Sequence, residues 1–282
     1  MTDLSLRQAG AEAPRTGPSL ARMPRLWRNL RGSLLAPASI AMALVVWQIA
    51  SSTVFDPFLV PPPTAVAKAA WPMIVSGEIL HDVTISMTRV LVGFIAGSAL
   101  AIVVGVLIGR IQILHDLFDP IIELLRYLSP TAMIPIAVIW FGIGEMSKYF
   151  LIFWGTFFIV LVNTVVGVWR TPAARQRAAE CLGASRLEIF LLIVIPSATP
   201  FIVTGMRVAM ASSFMSIIPA EILAADSGIG YLLQKSSMLL QTDKIFVALI
   251  TISTLGFLTD RVFRIAVKRM LSRFMLADAG AH

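Results

Sequence analysis

The run 149-YFLIFWGTFFIVLVNTVVGVW-169 lies between Lys148 and Arg170 and contains no charged residue. At about 1.5 Å rise per residue a helix of this length crosses a hydrocarbon layer about 30 Å thick. A helix on the surface of a soluble protein shows an apolar stripe, whereas this run is apolar on all sides. Similar runs lie on both sides of it. Leu34–Val54, Val90–Gly109 and Tyr127–Gly144 precede it, and Ile189–Met206 and Val208–Ala220 follow as one region interrupted by Arg207. Ile245–Thr259 begins the last run, which extends past Asp260-Arg261 to Val267. With 57% hydrophobic and 14% charged residues, the 282-residue chain carries too little charge for a water-facing surface, since soluble domains average about 25%. The fold class expected is an all-α integral membrane protein with six transmembrane helices. A basic tail (1–33), a membrane domain (34–270) and a short C-terminal tail (271–282) are expected around them.

Orientation follows from the loops. Arg7, Arg15, Arg22, Arg25, Arg28 and Arg31 precede the first run; Arg170, Arg175, Arg177 and Arg186 follow the fourth; Arg261, Arg264, Lys268, Arg269 and Arg273 end the chain. The positive-inside rule puts all three groups in the cytoplasm, which requires an even number of crossings and makes the interrupted fifth region one span. Lys68, Lys148, Lys235 and Lys244 then face outward. The net charge of +7 reads as topology and lipid-headgroup contact rather than as a nucleic-acid surface. Residues Ala9–Leu20 have the composition of a disordered start, Arg22–Arg31 of a helix on the inner leaflet, and Leu34–Val54 is long enough to remain as an anchor. Between the first two spans, prolines 57 and 61–63 keep the chain extended before an amphipathic helix over Val66–Ile85. Arg110–Asp119 reads as a short inner loop. Pro130 and Pro135 predict a kink in the third span, closed by a turn at Gly142–Glu145.

Catalytic and metal chemistry find no pattern. The spacing of Gly142–Lys148 is not that of a phosphate loop, the histidines 81, 115 and 282 are dispersed, and no nucleophile elbow or zinc motif is present. The lone Cys181 reads as a small, half-buried residue and rules out an internal disulfide. No metal site and no cofactor on this chain are expected. The unusual segment is Arg177–Arg186, polar and rich in small residues between long apolar runs. Ala178, Ala179, Leu182, Ile189 and Phe190 share a helical face, while Gly183 breaks one helix and begins another. Two readings stand at this point: a basic amphipathic helix resting on lipid, and a docking element whose small residues admit another backbone closely.

A resemblance weighs on the second. Ala178-Ala179, Gly183 and Pro196 have the spacing of the EAA motif of binding-protein-dependent ABC importer permeases, with Arg177 where that motif has glutamate. Ser86, Arg89-Val90 and Gly93-Phe94, Leu117–Pro120, Pro135–Lys148, Asn163–Val168, Gly183–Ser185, Pro200–Arg207 and Ala220-Glu221 with 228–231 resemble the nitrate/sulfonate/taurine branch. The resemblance implies a permease subunit, paired with a second copy, on an ABC ATPase dimer that holds ATP and Mg, supplied by a periplasmic or lipid-anchored solute-binding protein in a bacterial inner membrane. It also implies coupling to the ATPase through about 175–190, with Ala178, Ala179, Glu180, Gly183, Ala184 and Leu187 as contact residues, and a small, anionic solute. A stand-alone channel or secondary transporter is the alternative.

Polar residues inside the spans are costly and mark candidates for a pathway or gate. Asn163, Thr164, Ser212 and Ser213 would line a cavity or pack helices together; Arg207 would face the pathway or snorkel to headgroups; Glu221 would cap its span or form a gate. Glu123 and Arg126 suit an i, i+3 ion pair.

Overall fold

The computed structural model describes residues Arg25–Met275. The disordered start expected over Ala9–Leu20, with the rest of residues 1–24 and 276–282, lies outside the described residues. The chain divides into two units, one ending at Phe55 and one beginning at Asp56. The first contains α1 (Arg25–Thr53), a single helix whose apolar part is Pro37–Thr53. Of the helix expected on the inner leaflet over Arg22–Arg31, residues 25–31 are helical and continuous with the apolar part of α1.

The second unit is built on three long helices, α3 (Glu78–Arg110), α6 (Glu145–Trp169) and α9 (Ile195–Ala224). The α3–α6 seam follows from small residues every fourth position: Gly93, Gly97, Ala101, Gly105 and Gly109. A Cβ on Gly93, Gly97, Gly105 or Gly109 would meet Ile152, Thr156, Thr164 or Val168 of α6 at about van der Waals overlap, 2.6 to 3.0 Å. Without hydrophobic driving force between helices in lipid, this close approach supplies dispersion contact instead. On its other side α6 meets α9 through Gly155 beside Ser212 and Ser216, Asn163 beside Gly205, and Gly167 beside Ala198 and Phe201. Thr156 and Ser213 share a hydrogen bond of 2.9 Å across the same seam.

Several expectations from the sequence are corrected. The third span, Tyr127–Gly144, is not one helix: α4 (Gln112–Leu125) ends before Arg126, turns fill 126–133, and α5 (Ile134–Phe141) has only eight residues. Pro130 and Pro135 do more than kink it, because each removes an N–H and disfavours helical geometry in the residue before it. Arg110–Asp119 is accordingly no loop but the end of α3 and the start of α4. Four described helices are long and apolar enough to cross a membrane: Glu78–Arg110, Glu145–Trp169, Arg186–Leu223 and Thr242–Arg269. The fifth region is thus one continuous element despite Arg207, and α11 (Thr242–Met275) does continue past Asp260-Arg261. Val66–Ile85 is split into α2 (Pro63–Val75) and the start of α3 by Gly77, whose φ of +80° suits only a residue without Cβ. The second span begins well before Val90, since Arg89 is neutralised inside the protein.

Candidate functional site

Three zones stand along the α3–α6–α9 core. The first is a buried charge cluster. Arg89 grips Glu145 with both Nε (2.7 Å) and Nη2 (2.6 Å), and donates Nη1 to Glu221 (2.8 Å) and to the Ser227 carbonyl (2.7 Å). Glu221 is fully buried, and also accepts from Ser86 Oγ (2.8 Å) and the Gly230 N–H (2.8 Å). Ser86 Oγ in turn accepts the Ile229 N–H, and Asp82 the Gly228 N–H, each at 3.0 Å. Lys148 joins through Glu145 at 2.8 Å and is itself buried. Arg89 and Lys148 thereby pair with Glu145 and Glu221, and Asp82 is met by a backbone N–H, so each buried charge has a partner. The cluster binds α3, α6 and α9 to the loop leading into α10 (Ile229–Met238). Gly228 has φ +111°, and a Cβ there would lie 2.4 Å from the Glu221 carboxylate.

The second zone is the helix break. Pro130 packs on Gly155, which also faces Ser216 and Ser212, and Ser212 Oγ reaches the Gly155 carbonyl at 3.4 Å. Trp154 Nε1 donates to the Leu128 carbonyl at 3.1 Å. Gly155 follows Glu145 by ten residues, about 15 Å along the helix and so about half of a hydrocarbon core of 30 Å. Irregular backbone at such depth is tolerated only where protein or a water-filled cavity receives its polar groups. Exposed Ser129 and Thr131 hold the turn, with Ser129 Oγ accepting the Thr131 N–H at 3.3 Å. The Arg126–Glu123 pair exists at 3.2 Å, and Arg126 also meets the Tyr127 hydroxyl at 3.1 Å.

The third zone is the polar segment. α7 (Ala173–Cys181) stops at Gly183, φ +85°, and α8 (Arg186–Ile189) restarts with a capping box between Ser185 and Glu188. A π-helical turn at Phe190–Val194 carries α8 directly into α9. Of the expected contact residues, Ala178, Glu180, Gly183 and Leu187 are exposed, and Ala179 and Ala184 are half-buried. Leu182 is 89% exposed and Leu187 65%, unusual for leucines in a polar stretch. The single apolar face is corrected: the Gly183 turn separates exposed Leu182 from buried Ile189. Cys181 is exposed rather than half-buried.

The candidate pathway residues divide. Ser212 faces the break, and Glu221 sits at the centre of the charge cluster. Thr164 and Ser213 are fully buried and bond to the carbonyls of Val160 (2.7 Å) and Ala209 (2.9 Å). Asn163 packs on Gly205 and donates to the Ile159 carbonyl at 2.8 Å. Arg207 pairs with Asp260 of α11 at 2.9 Å. The sequence names Arg89 and the segment holding Glu145 and Lys148 only as points of resemblance and gives no sign that they pair, because Arg89 reads as the edge of an apolar run. Their signal was present: Ser86, Arg89 and Gly93 recur on one helical face.

Four long apolar helices, with a broken one packed against their core and an exposed polar elbow, have the make-up of an integral membrane protein. Residues 97–272 match the family described as binding-protein-dependent transport system inner membrane component, and the chain belongs to that family. It is a permease subunit of the ABC importer class, a transport component rather than an enzyme. The taurine transport system permease protein of Escherichia coli (strain K12) is 32% identical over 88% of this chain and 93% of its own length. The putative aliphatic sulfonates transport permease protein of the same organism is 36% identical over 80% and 87%. Among solved structures, an inward-facing form of the MetNI methionine ABC transporter matches with a TM-score of 0.55 at 17% identity, covering 69% of this chain and 97% of that one, a likeness of fold.

Proposed function

We propose that this chain forms the membrane pathway for a small anion of the sulfonate, taurine or nitrate kind, as half of a permease pair driven by a separate ATPase dimer carrying ATP and Mg. A solute-binding protein delivers the anion from outside, and both termini lie in the cytoplasm of a bacterial cell. The observation that carries this reading is the continuity of α8, the π-turn and α9. The exposed α8, which carries the bare Leu187, is joined without a hinge loop to the helix that backs the mid-bundle break. Displacement of the elbow by a partner is thereby transmitted to Ser212 and Gly155. The contacts are Ala178, Ala179, Glu180, Gly183, Ala184 and Leu187. Arg177 presents a cation, so its partner position is acidic or neutral. Relatives named for taurine and aliphatic sulfonates support an anionic solute, and Arg126, paired with Glu123, stands at the start of the break.

Deleting Ala178–Glu188 tests the coupling: the variant inserts in the membrane, the ATPase still hydrolyses ATP, and uptake is lost. Full uptake by that variant, or anion flux through this chain alone in liposomes without an ATPase, overturns the reading.

A further inference from the structure

A groove of about 300 Å³ runs along the seam of α9 and α11. Its walls are apolar and include Met210, Phe214, Met215, Ile252 and Phe257; Met215 is 77% and Phe257 57% exposed. One end is charged. Asp260 accepts from Arg207 at 2.9 Å and pairs with Arg264 at 2.7 Å, so two guanidiniums share one carboxylate. Arg264 stands just past the lining, one turn beyond Asp260, and its buried Nε finds no acceptor among the described residues. Arg261, in the next turn, stands 5.2 Å over the Phe257 ring.

The depth of this charged end agrees on both helices. Arg207 precedes Leu223 by 16 residues and Asp260 follows Thr242 by 18, about 24 and 27 Å at 1.5 Å per residue. Both distances fall just short of the roughly 30 Å hydrocarbon thickness. Counted from these ends, the cations lie at matching depth near the far side of a layer of that thickness, and the apolar walls extend from them toward its middle. A slot with excess positive charge at headgroup depth and bare apolar walls along the chain region matches one class of molecule.

We infer that the α9–α11 groove binds an anionic phospholipid, its phosphate on Arg207 and Arg264 and an acyl chain along Met215 and Phe257. Asp260 orients the two arginines and keeps them poised when the groove is empty.

The test uses the full chain purified in detergent. Native mass spectrometry counts bound lipid while phosphatidylglycerol, phosphatidylcholine or inorganic phosphate is titrated. Phosphatidylglycerol binds in preference, and each of Arg207→Gln and Arg264→Gln weakens it about fivefold, the worth of one cation near an anionic surface. Lys235→Gln, at an exposed position of α10, leaves binding unchanged. Met215→Trp fills the groove with every charge intact and also lowers retention, so the inference stays testable if an arginine variant misfolds. Equal retention of both lipids, unchanged binding in Met215→Trp, or competition by inorganic phosphate at concentrations similar to those of the lipid overturns it; the last would mark a free-phosphate site.

Discussion

Glu221 is fully buried, and its carboxylate accepts from Arg89, the single Ser86 hydroxyl and the Gly230 amide. Removing one partner of a buried pair strands the other charge, which costs about 3–5 kcal/mol. Glu221→Ala should therefore lower the unfolding temperature in detergent far more than removal of the half-exposed Arg207–Asp260 contact. The double replacement Arg89→Met with Glu221→Met should cost less than the two single changes added together, because neither charge remains. Gly230→Ala should destabilise by about 1–3 kcal/mol, as in other overpacked cores. Its Cβ would meet Glu221 Cβ at 2.7 Å and the Ile218 carbonyl at 2.8 Å, neither of which can yield cheaply. A circular-dichroism melt distinguishes these outcomes.

Helix seams follow from where glycine stands. The four-residue recurrence along α3 sets its approach to α6, and Gly105→Leu should prevent α3 from docking, seen as loss of a monodisperse peak in size-exclusion chromatography. Long spans were legible in the sequence because lipid demands uniform apolarity, and Tyr149–Trp169 and α11 are found where composition puts them. Arg89 and the broken third span were not. A charge is read as a boundary when its partners, Glu145 and Glu221, lie 56 and 132 positions away. Likewise Pro130 reads as a bend until Gly155 on another helix is known to receive it. The Gly183 break was legible because a left-handed residue is local chemistry, whereas the burial of Ile189 beyond it depends on tertiary contact.

At the scale of the molecule, charge gathers at two levels. Arg89 and Arg110 stand 21 residues apart on α3, about 31 Å, which matches the span of a hydrocarbon core. Between these levels the helix break lies near the middle, as discontinuous helices do in other transporters. Arg126→Gln should weaken anion uptake while leaving the folded state intact, measured as initial uptake rate beside a melting curve. The π-turn between α8 and α9 carries a geometric consequence of its own. It holds one residue more than an α-helical turn, and each residue of a helix advances about 100° around its axis. Excising Leu192 alone would let ordinary helical bonding resume and swing Leu187 by roughly that angle, so the elbow would face a partner with the wrong side while staying folded. The angular phase of the docking element is thus written in a single inserted residue, and partner choice among related transporters has a one-codon route by which to change.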